Sequence, residues 1–79
     1  MNSEIQLKNI FSNALGLSVE EIDSSLEMTS SSEWDSVAHM ELITGVEDGF
    51  DIELEDDDLF SMNSYIVTKE ILQKYGISF

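Results

Sequence analysis

The chain has 79 residues, enough for one small domain with a modest core. Its 17 acidic and 3 basic side chains give a net charge of -14, which repels nucleic acid and anionic lipid and favours partners with basic surfaces. No Cys and a single His are present, which excludes disulfides and zinc sites built from Cys or from several His.

The N-terminal segment, Met1-Asn2-Ser3-Glu4, is polar and lacks a basic stretch followed by an apolar run. This composition argues against a signal peptide, and no apolar run is long enough to span a membrane. The absence of Cys fits a reducing compartment. We therefore expect a cytoplasmic monomer with a single domain over residues 1–79.

The first helical pattern runs from about Glu4 to Leu15. Ser3 followed by Gln6 matches a capping box, in which the two residues satisfy each other's backbone N–H groups. Gly16 is placed to end the helix. The apolar residues that fall near one stripe are Ile5, Ile10, Phe11, Ala14 and Leu15.

A long connection follows, from residue 16 to residue 34. Within it, Val19-Glu20-Glu21-Ile22 can form one helical turn with Ser18 as its cap. A loop of this length in so small a domain is often functional.

The second helix is predicted from about Ser36 to Phe50. One of its faces is assigned to the core and carries His39, Leu42, Ile43, Val46 and Phe50. A second stripe mixes apolar and acidic side chains at helical spacing, and we interpret it as a docking face. Its members are Val37, Met40, Glu41, Thr44, Glu47 and Asp48. The alternative is that Val37 and Met40 are ordinary core residues near a helix end.

The third predicted helix is short, from about Asp56 to Ser61, and Leu59, Phe60 and Met62 are expected to close over the core. The acidic run Glu55-Asp56-Asp57-Asp58 lacks the alternating ligands and the Gly of a calcium-binding EF-hand loop. We interpret this run as charge that favours a helix start, with weak, non-specific cation binding as the lesser alternative, and we predict no specific metal site.

The fourth helix is predicted from about Ser64 to Tyr75, with Asn63 or Ser64 as its cap and Gly76 as its end. Its apolar side is Ile66, Val67, Ile71, Leu72 and Tyr75. The sum predicts an all-α fold: a small four-helix bundle with three longer helices, one short helix and a long loop between helices 1 and 2.

The pair Asp35-Ser36 opens the second helix, and either residue could cap it. If Asp35 is the cap, the Ser36 hydroxyl is free, and a phosphate on it would lie at a helix N-terminus, where an anion is favoured. The other reading is that Ser36 caps and Asp35 only flanks. Trp34 is expected to pack back on the first turn.

Catalysis by the chain itself is not expected. His39 follows Ser36 by three residues, so a small hydrolase using both is conceivable, but no other residues build an oxyanion site or a substrate pocket. The four Gly residues do not form a phosphate-binding loop.

Four segments together resemble the acyl carrier protein family: Asp35-Ser36-Val37, Met40-Glu41-Leu42, Val46-Glu47-Asp48 and Phe50-Asp51-Ile52-Glu53-Leu54. The resemblance covers nearly the whole chain and includes its length, its acidity, the long first loop and the order of the helices.

The resemblance implies that Ser36 receives 4'-phosphopantetheine from coenzyme A through a magnesium-dependent phosphopantetheinyl transferase. The thiol of that arm would hold an acyl or aminoacyl group as a thioester for partner enzymes with basic docking patches, such as a loading ligase, an acyltransferase or a synthase. Asp35 would help the transferase to recognise the site. The partner face would be Val37, Met40, Glu41, Thr44, Glu47 and Asp48, and a core gap sheltering the acyl chain would lie near Leu42, Val46, Leu54, Leu59 and Phe60.

Three positions depart from the pattern usual in fatty-acid carriers. Before Asp35-Ser36 this chain has Glu33-Trp34, where fatty-acid carriers usually have small residues that include Gly. Ala38 occupies a position that is usually acidic, and Thr44 occupies one that usually holds a larger apolar residue. The Trp-Asp-Ser form resembles stand-alone carriers of specialised pathways, which make secondary metabolites or modified sugars or transfer amino acids. The alternative function is an unmodified acidic adaptor that docks on basic surfaces, and only the carrier hypothesis needs a chemically special Ser36.

Overall fold

The computed structural model describes residues 3–79, and within them it contains four α-helices and no β-strand. The helices are α1 (Ser3–Leu15), α2 (Ser36–Phe50), α3 (Asp56–Ser61) and α4 (Tyr65–Lys74). Two short 3-10 turns, Val19–Glu21 and Met28–Ser30, lie in the connection between α1 and α2. The predicted all-α bundle with a long first loop is therefore confirmed.

The ends of the helices follow local capping chemistry. The bounds of α2 and α3 are those predicted, while α4 is one residue shorter at each end. Ser64 is its cap, and its Oγ accepts a hydrogen bond from the Val67 N–H at 3.0 Å. Gly16 and Gly76 have φ angles of 72° and 90°, the left-handed conformation that ends a helix at little cost for Gly.

The capping box predicted at Ser3 and Gln6 is wrong. Ser3 is the first residue inside α1, so it does not stand before the helix. The Gln6 side chain instead reaches α2, where its Nε2 donates to the carbonyl oxygen of Gly49 at 2.5 Å. Gln6 therefore makes a hydrogen bond between α1 and α2 in place of the predicted bond within the first turn of α1.

The core is one cluster to which every helix but α3 contributes buried apolar residues, together with the segments between the helices. Phe11 lies near its centre, with its ring edge-on to the rings of Trp34 and Tyr65 at centroid distances of 5.3 Å each. The buried apolar residues are Leu7, Phe11, Leu15, Ile22, Leu26, Trp34, Ala38, Leu42, Ile43, Val46, Leu54, Met62, Tyr65, Ile71 and Leu72.

Three residues assigned to the apolar sides of helices are exposed instead. Ile5 is 56% exposed because the buried stripe of α1 follows the four-residue spacing of Leu7, Phe11 and Leu15. Phe60 is 85% exposed, and Ile66 is 40% exposed. The buried side of α4 is formed by Tyr65, Thr68, Ile71 and Leu72. Tyr65 and Thr68 are not among the residues predicted for its apolar side.

The long connection is fixed to the start of α4 by its backbone. The Met28 N–H donates to the Asn63 carbonyl at 2.9 Å, and the Tyr65 N–H donates to the Leu26 carbonyl at 3.1 Å. Ile22 and Leu26 are buried, so the connection is also held by the core. This arrangement places Met28 beside the start of α2.

Helix α3 is held against the end of α4 by one carboxylate. The buried Asp58 accepts hydrogen bonds from Lys74 Nζ at 2.7 Å and from the Tyr75 hydroxyl at 2.5 Å. The bond from Lys74, and then that from Tyr75, holds the pKa of Asp58 below its ordinary value. The position of α3 against the end of α4 therefore depends on a charged contact as well as on apolar packing.

Candidate functional site

The start of α2 is capped by Asp35. Its backbone is extended, and its Oδ1 accepts a hydrogen bond from the Ala38 N–H at 2.9 Å. The Asp35 carbonyl accepts the His39 N–H at 2.9 Å, which is the first bond of the helix. Asp35 therefore fills the capping role that the sequence left open between two residues.

Ser36 is the first residue of α2, and it is exposed. Among residues 3–79, no group forms a hydrogen bond with its hydroxyl. The hydroxyl thus projects from a helix N-terminus without a structural task. This is the geometry in which an attached phosphate would meet unpaired backbone N–H groups and the positive end of the helix dipole.

Trp34 and His39 form a contact that sequence reasoning missed. Trp34 is only 2% exposed, and its indole Nε1 donates to His39 Nδ1 at 3.0 Å. His39 Nε2 lies 2.9 Å from the carbonyl oxygen of Leu59 in α3. Both ring nitrogens are therefore engaged away from Ser36, which leaves no Ser–His pair for a hydrolase. The only available signal was a Trp one residue before the cap and a His one turn after it.

A groove of about 300 Å³ opens beside Ser36, between α2 and α3. We call it the Ser36 groove, and it is lined by Met28, Ser36, His39, Met40, Phe60 and Met62. Three of the chain's four Met residues belong to it. Met side chains adapt their shape to different apolar ligands. Of the five residues expected around a core gap, only Phe60 lines this groove, and Leu42 and Val46 are fully buried.

The predicted docking stripe lies largely on the surface of α2. Val37 and Met40 are 70% and 62% exposed, so they are not the core residues that the alternative reading proposed. Glu41, Thr44 and Asp48 are exposed as well. Glu47 also has a structural contact, because its carboxylate accepts the Leu54 N–H at 2.9 Å.

Basic side chains are absent from α2 and α3, which lie within residues 3–79. Two of the three Lys residues lie on α4, where Lys69 pairs with Glu4 and Lys74 pairs with Asp58. In the described part of the chain, no cluster of His, Asp and Glu side chains is arranged to hold a metal ion. No helix there has the length and apolar content needed to cross a membrane.

Comparison with known protein families agrees with this geometry. A search of the curated proteins found no match. The family model described as "Phosphopantetheine attachment site" matches residues 6–66, which include the long connection, α2, α3 and the start of α4. Members of this family are carrier domains without catalytic activity, and they bear 4'-phosphopantetheine covalently on a Ser. The match confirms the resemblance drawn from the sequence, and the chain belongs to the phosphopantetheine attachment-site family.

Proposed function

We propose that residues 1–79 form a single carrier domain in which Ser36 bears 4'-phosphopantetheine. The carrier would deliver an acyl or aminoacyl group, held as a thioester, between enzymes of a specialised biosynthetic pathway. The observation that supports this most is the exposed Ser36 hydroxyl at the first position of α2, without a hydrogen bond to any residue among 3–79. Since Asp35 caps the helix, modification of Ser36 removes no capping bond.

The residues around Ser36 fit the proposed group. The first turn of α2 presents backbone N–H groups and the positive end of a 15-residue helix to a phosphate. The Ser36 groove offers an apolar surface next to the attachment point. When bound, the group supplies a terminal thiol, which the chain itself lacks because it contains no Cys.

The chain contributes position and a nucleophilic oxygen to the attachment reaction. Ser36 Oγ forms the new bond to phosphorus, the nucleotide part of coenzyme A leaves, and the hydroxyl proton passes to a base on the transferase. His39 is not that base, since Trp34 and Leu59 occupy its two nitrogens. In this proposal the Asp35 carboxylate, next to the hydroxyl in sequence, also contributes to recognition by the transferase.

Partner enzymes are proposed to dock on the α2 stripe, which consists of Val37, Met40, Glu41, Thr44, Glu47 and Asp48. Exposed apolar side chains near Ser36 supply contact area, and the acidic side chains attract Lys and Arg of the partner. Phe60 of α3 adds a large exposed ring on the other side of the Ser36 groove. A loading ligase, an acyltransferase or a synthase with a basic patch would fit this surface.

The packing around two unusual positions supports a specialised carrier. Ala38 is 8% exposed, so the acid that is usual in fatty-acid carriers would be buried at this position. Trp34 lies before Asp35-Ser36, where fatty-acid carriers usually have small residues, and its side chain is part of the core. The two residues that depart from the common pattern, Trp34 and Ala38, are therefore packed in the core next to Ser36.

The test is the intact mass of the chain after incubation with coenzyme A, magnesium and a broad-specificity phosphopantetheinyl transferase. We expect a gain of one phosphopantetheine on the native chain and on Ser32→Ala, a control at another exposed Ser. We expect no gain on Ser36→Ala. A folded, initially unmodified chain that stays unmodified with several transferases would favour the acidic adaptor instead.

A further inference from the structure

The hydrogen bonds of His39 define which form of its ring the fold accepts. The indole N–H of Trp34 can only donate, so His39 Nδ1 must be the unprotonated nitrogen that accepts at 3.0 Å. The other nitrogen then carries the hydrogen, and Nε2 donates to the Leu59 carbonyl at 2.9 Å. Both bonds exist together only in the neutral ring with its hydrogen on Nε2.

Protonation of His39 would break this arrangement. A charged imidazole has N–H groups on both nitrogens, so Nδ1 would face the donor of Trp34 without an acceptor lone pair. Trp34 is 2% exposed, and its indole N–H would lose its hydrogen bond in a site with little access to water. The bond to Leu59 would remain, since Nε2 donates in both forms.

The ring connects three parts of the site. His39 lies in the first turn of α2, Trp34 belongs to the segment before the cap, and Leu59 belongs to α3. His39 and Ser36 also line the same groove. This one side chain therefore joins the Ser36-bearing turn to Trp34 and to α3.

We propose that His39 is a positioning residue, whose neutral ring holds the Ser36-bearing turn against Trp34 and α3 and whose protonation releases the turn from Trp34. This inference rests on the proposed function, because Ser36 must be the modified residue for its position to matter. The carrier would then be modified less efficiently when the ring is charged.

Apart from His39 itself, the charged groups on the connection, α2 and α3 are all carboxylates, and the two Lys residues of α4 pair with Glu4 and Asp58. The two ring nitrogens are taken by Trp34 and Leu59, so no carboxylate among residues 3–79 is hydrogen-bonded to the ring. The carboxylates are Glu20, Glu21, Asp23, Glu27, Glu33 and Asp35 before α2, Glu41, Glu47 and Asp48 on α2, and Asp56, Asp57 and Asp58 on α3.

Two variants separate the two bonds of the ring. Asn carries its Oδ1 at the position of imidazole Nδ1, so His39→Asn keeps an acceptor for Trp34 and loses the donor to Leu59. Gln carries its Nε2 at the position of imidazole Nε2, so His39→Gln keeps that donor and loses the acceptor for Trp34. Neither side chain titrates, which removes the pH response in both variants.

The first measurement is made on the unmodified chain and does not depend on Ser36 chemistry. Nitrogen chemical shifts of His39 should show the ring neutral and protonated on Nε2 at about pH 8, with Nδ1 becoming protonated on acidification. Trp34 is the only Trp, so its fluorescence should change in the same transition while the helical circular dichroism stays constant. His39→Asn and His39→Gln should lack this transition. A ring protonated on Nδ1 at about pH 8, or Trp34 emission that ignores the transition, overturns the proposal.

The second measurement mixes the native chain and one variant in a single transferase reaction and follows both by intact mass. The pH dependence of the transferase cancels in their ratio. At about pH 8 we expect His39→Gln to be modified about two- to tenfold more slowly, the range expected for loss of one buried hydrogen bond, and His39→Asn to be closer to the native chain. The difference in modification rate between the native chain and His39→Gln should disappear as the ring becomes charged. A ratio that is constant with pH overturns the positioning role, whereas no modification of any chain refutes the proposed function and leaves the ring titration to decide on His39.

Discussion

The Asp35 carboxylate accepts the Ala38 N–H at 2.9 Å, and the adjacent Ser36 hydroxyl takes no part in capping. Two neighbouring residues thus divide structure and chemistry between them. We predict that Asp35→Ala lowers the free energy of unfolding by about 1 kcal/mol, because a backbone donor of α2 loses its acceptor. For a domain of this size, that corresponds to a fall of roughly 4–8 °C in Tm.

The matched variants distinguish the cap from the charge. Asp35→Asn keeps a capping oxygen and should change Tm little, while Ser36→Ala should stay within about 0.5 kcal/mol of the native chain. Thermal unfolding followed by circular dichroism measures all three. If Ser36→Ala were the most destabilised of them, Ser36 would be a structural residue and the division of roles would be wrong.

Helices α1 and α2 approach closely at Gly45, where an added Cβ would lie 2.9 Å from Ile10 Cγ2. We predict that Gly45→Ala destabilises the fold by about 1–3 kcal/mol from overpacking, partly offset by a gain of about 1 kcal/mol in helix propensity. Gly49→Ala should cost less, because its Cβ would meet Cδ1 at the flexible end of the same Ile10 at 2.9 Å.

A double-mutant cycle checks this assignment. Ile10→Val removes Cδ1 and keeps Cγ2, so it should relieve the cost of Gly49→Ala and not that of Gly45→Ala. Denaturant unfolding of the single and double variants measures the coupling. Equal relief at both positions would show that the two contacts are not those described.

The hydrogen bonds of Asp58 predict a specific loss of stability in acid. Lys74, and then Tyr75, lowers the pKa of Asp58 in the folded state, so the unfolded chain binds its proton more readily. The stability from Asp58 is therefore fully present above its ordinary pKa of 3.8 and is lost as pH falls through the lower folded pKa. The difference in Tm between the native chain and Asp58→Asn should be largest at neutral pH and should shrink in strong acid. Asp57→Asn, at an exposed neighbour, should show little difference at any pH; an equal effect of both variants would contradict a special role for Asp58.

The acidic surface predicts stabilisation by salt. Fifteen acids lie between Asn9 and Thr68 without an intervening Lys or Arg, and their mutual repulsion opposes the compact state. We expect Tm to rise with NaCl and to rise further with MgCl2 at equal ionic strength, because a divalent cation screens carboxylates more effectively. Scanning calorimetry across both salts measures this. A Tm that is indifferent to both salts would mean that the acids are well dispersed.

Phe60 and Met62 lie two residues apart and should respond differently to truncation. Phe60 is 85% exposed and Met62 is fully buried. Phe60→Ala should stay within about 0.5 kcal/mol of the native stability, whereas Met62→Ala should cost about 2–5 kcal/mol. Phe60→Ala should still weaken docking to a transferase, as titration calorimetry would show. Unchanged affinity would remove Phe60 from the proposed partner surface.

Much of the fold was predictable because helix ends are encoded locally. The bounds of α2 follow from an acid before Ser36 and those of α3 from its acidic first turn, and Gly16 and Gly76 mark the ends of α1 and α4. Each signal acts within a few residues and depends little on the rest of the chain.

The errors concern side chains whose position is decided by distant partners. Phe60 is exposed although it is large and apolar, and Gln6 bonds to α2 although its local pattern predicted a cap. His39 was assigned to the core and is half-buried, and nothing local indicates that Trp34 and Leu59 bind its two nitrogens. The exposed Ser36 and its cap were accessible to sequence reasoning, whereas the network that orients them was not.

The backbone bonds between Leu26–Met28 and Asn63–Tyr65 join parts of the chain that are far apart in sequence. Forming them requires closure of a long loop, which is a slow event in folding compared with growth of a helix. The first turn of α4 and the long connection therefore become ordered in the same step, and their amide hydrogens should exchange with solvent only when the whole domain opens. A protease cut or an inserted segment at the exposed Ser24 would spare this closure, whereas the same change at the buried Leu26 would disrupt the bonds to the start of α4.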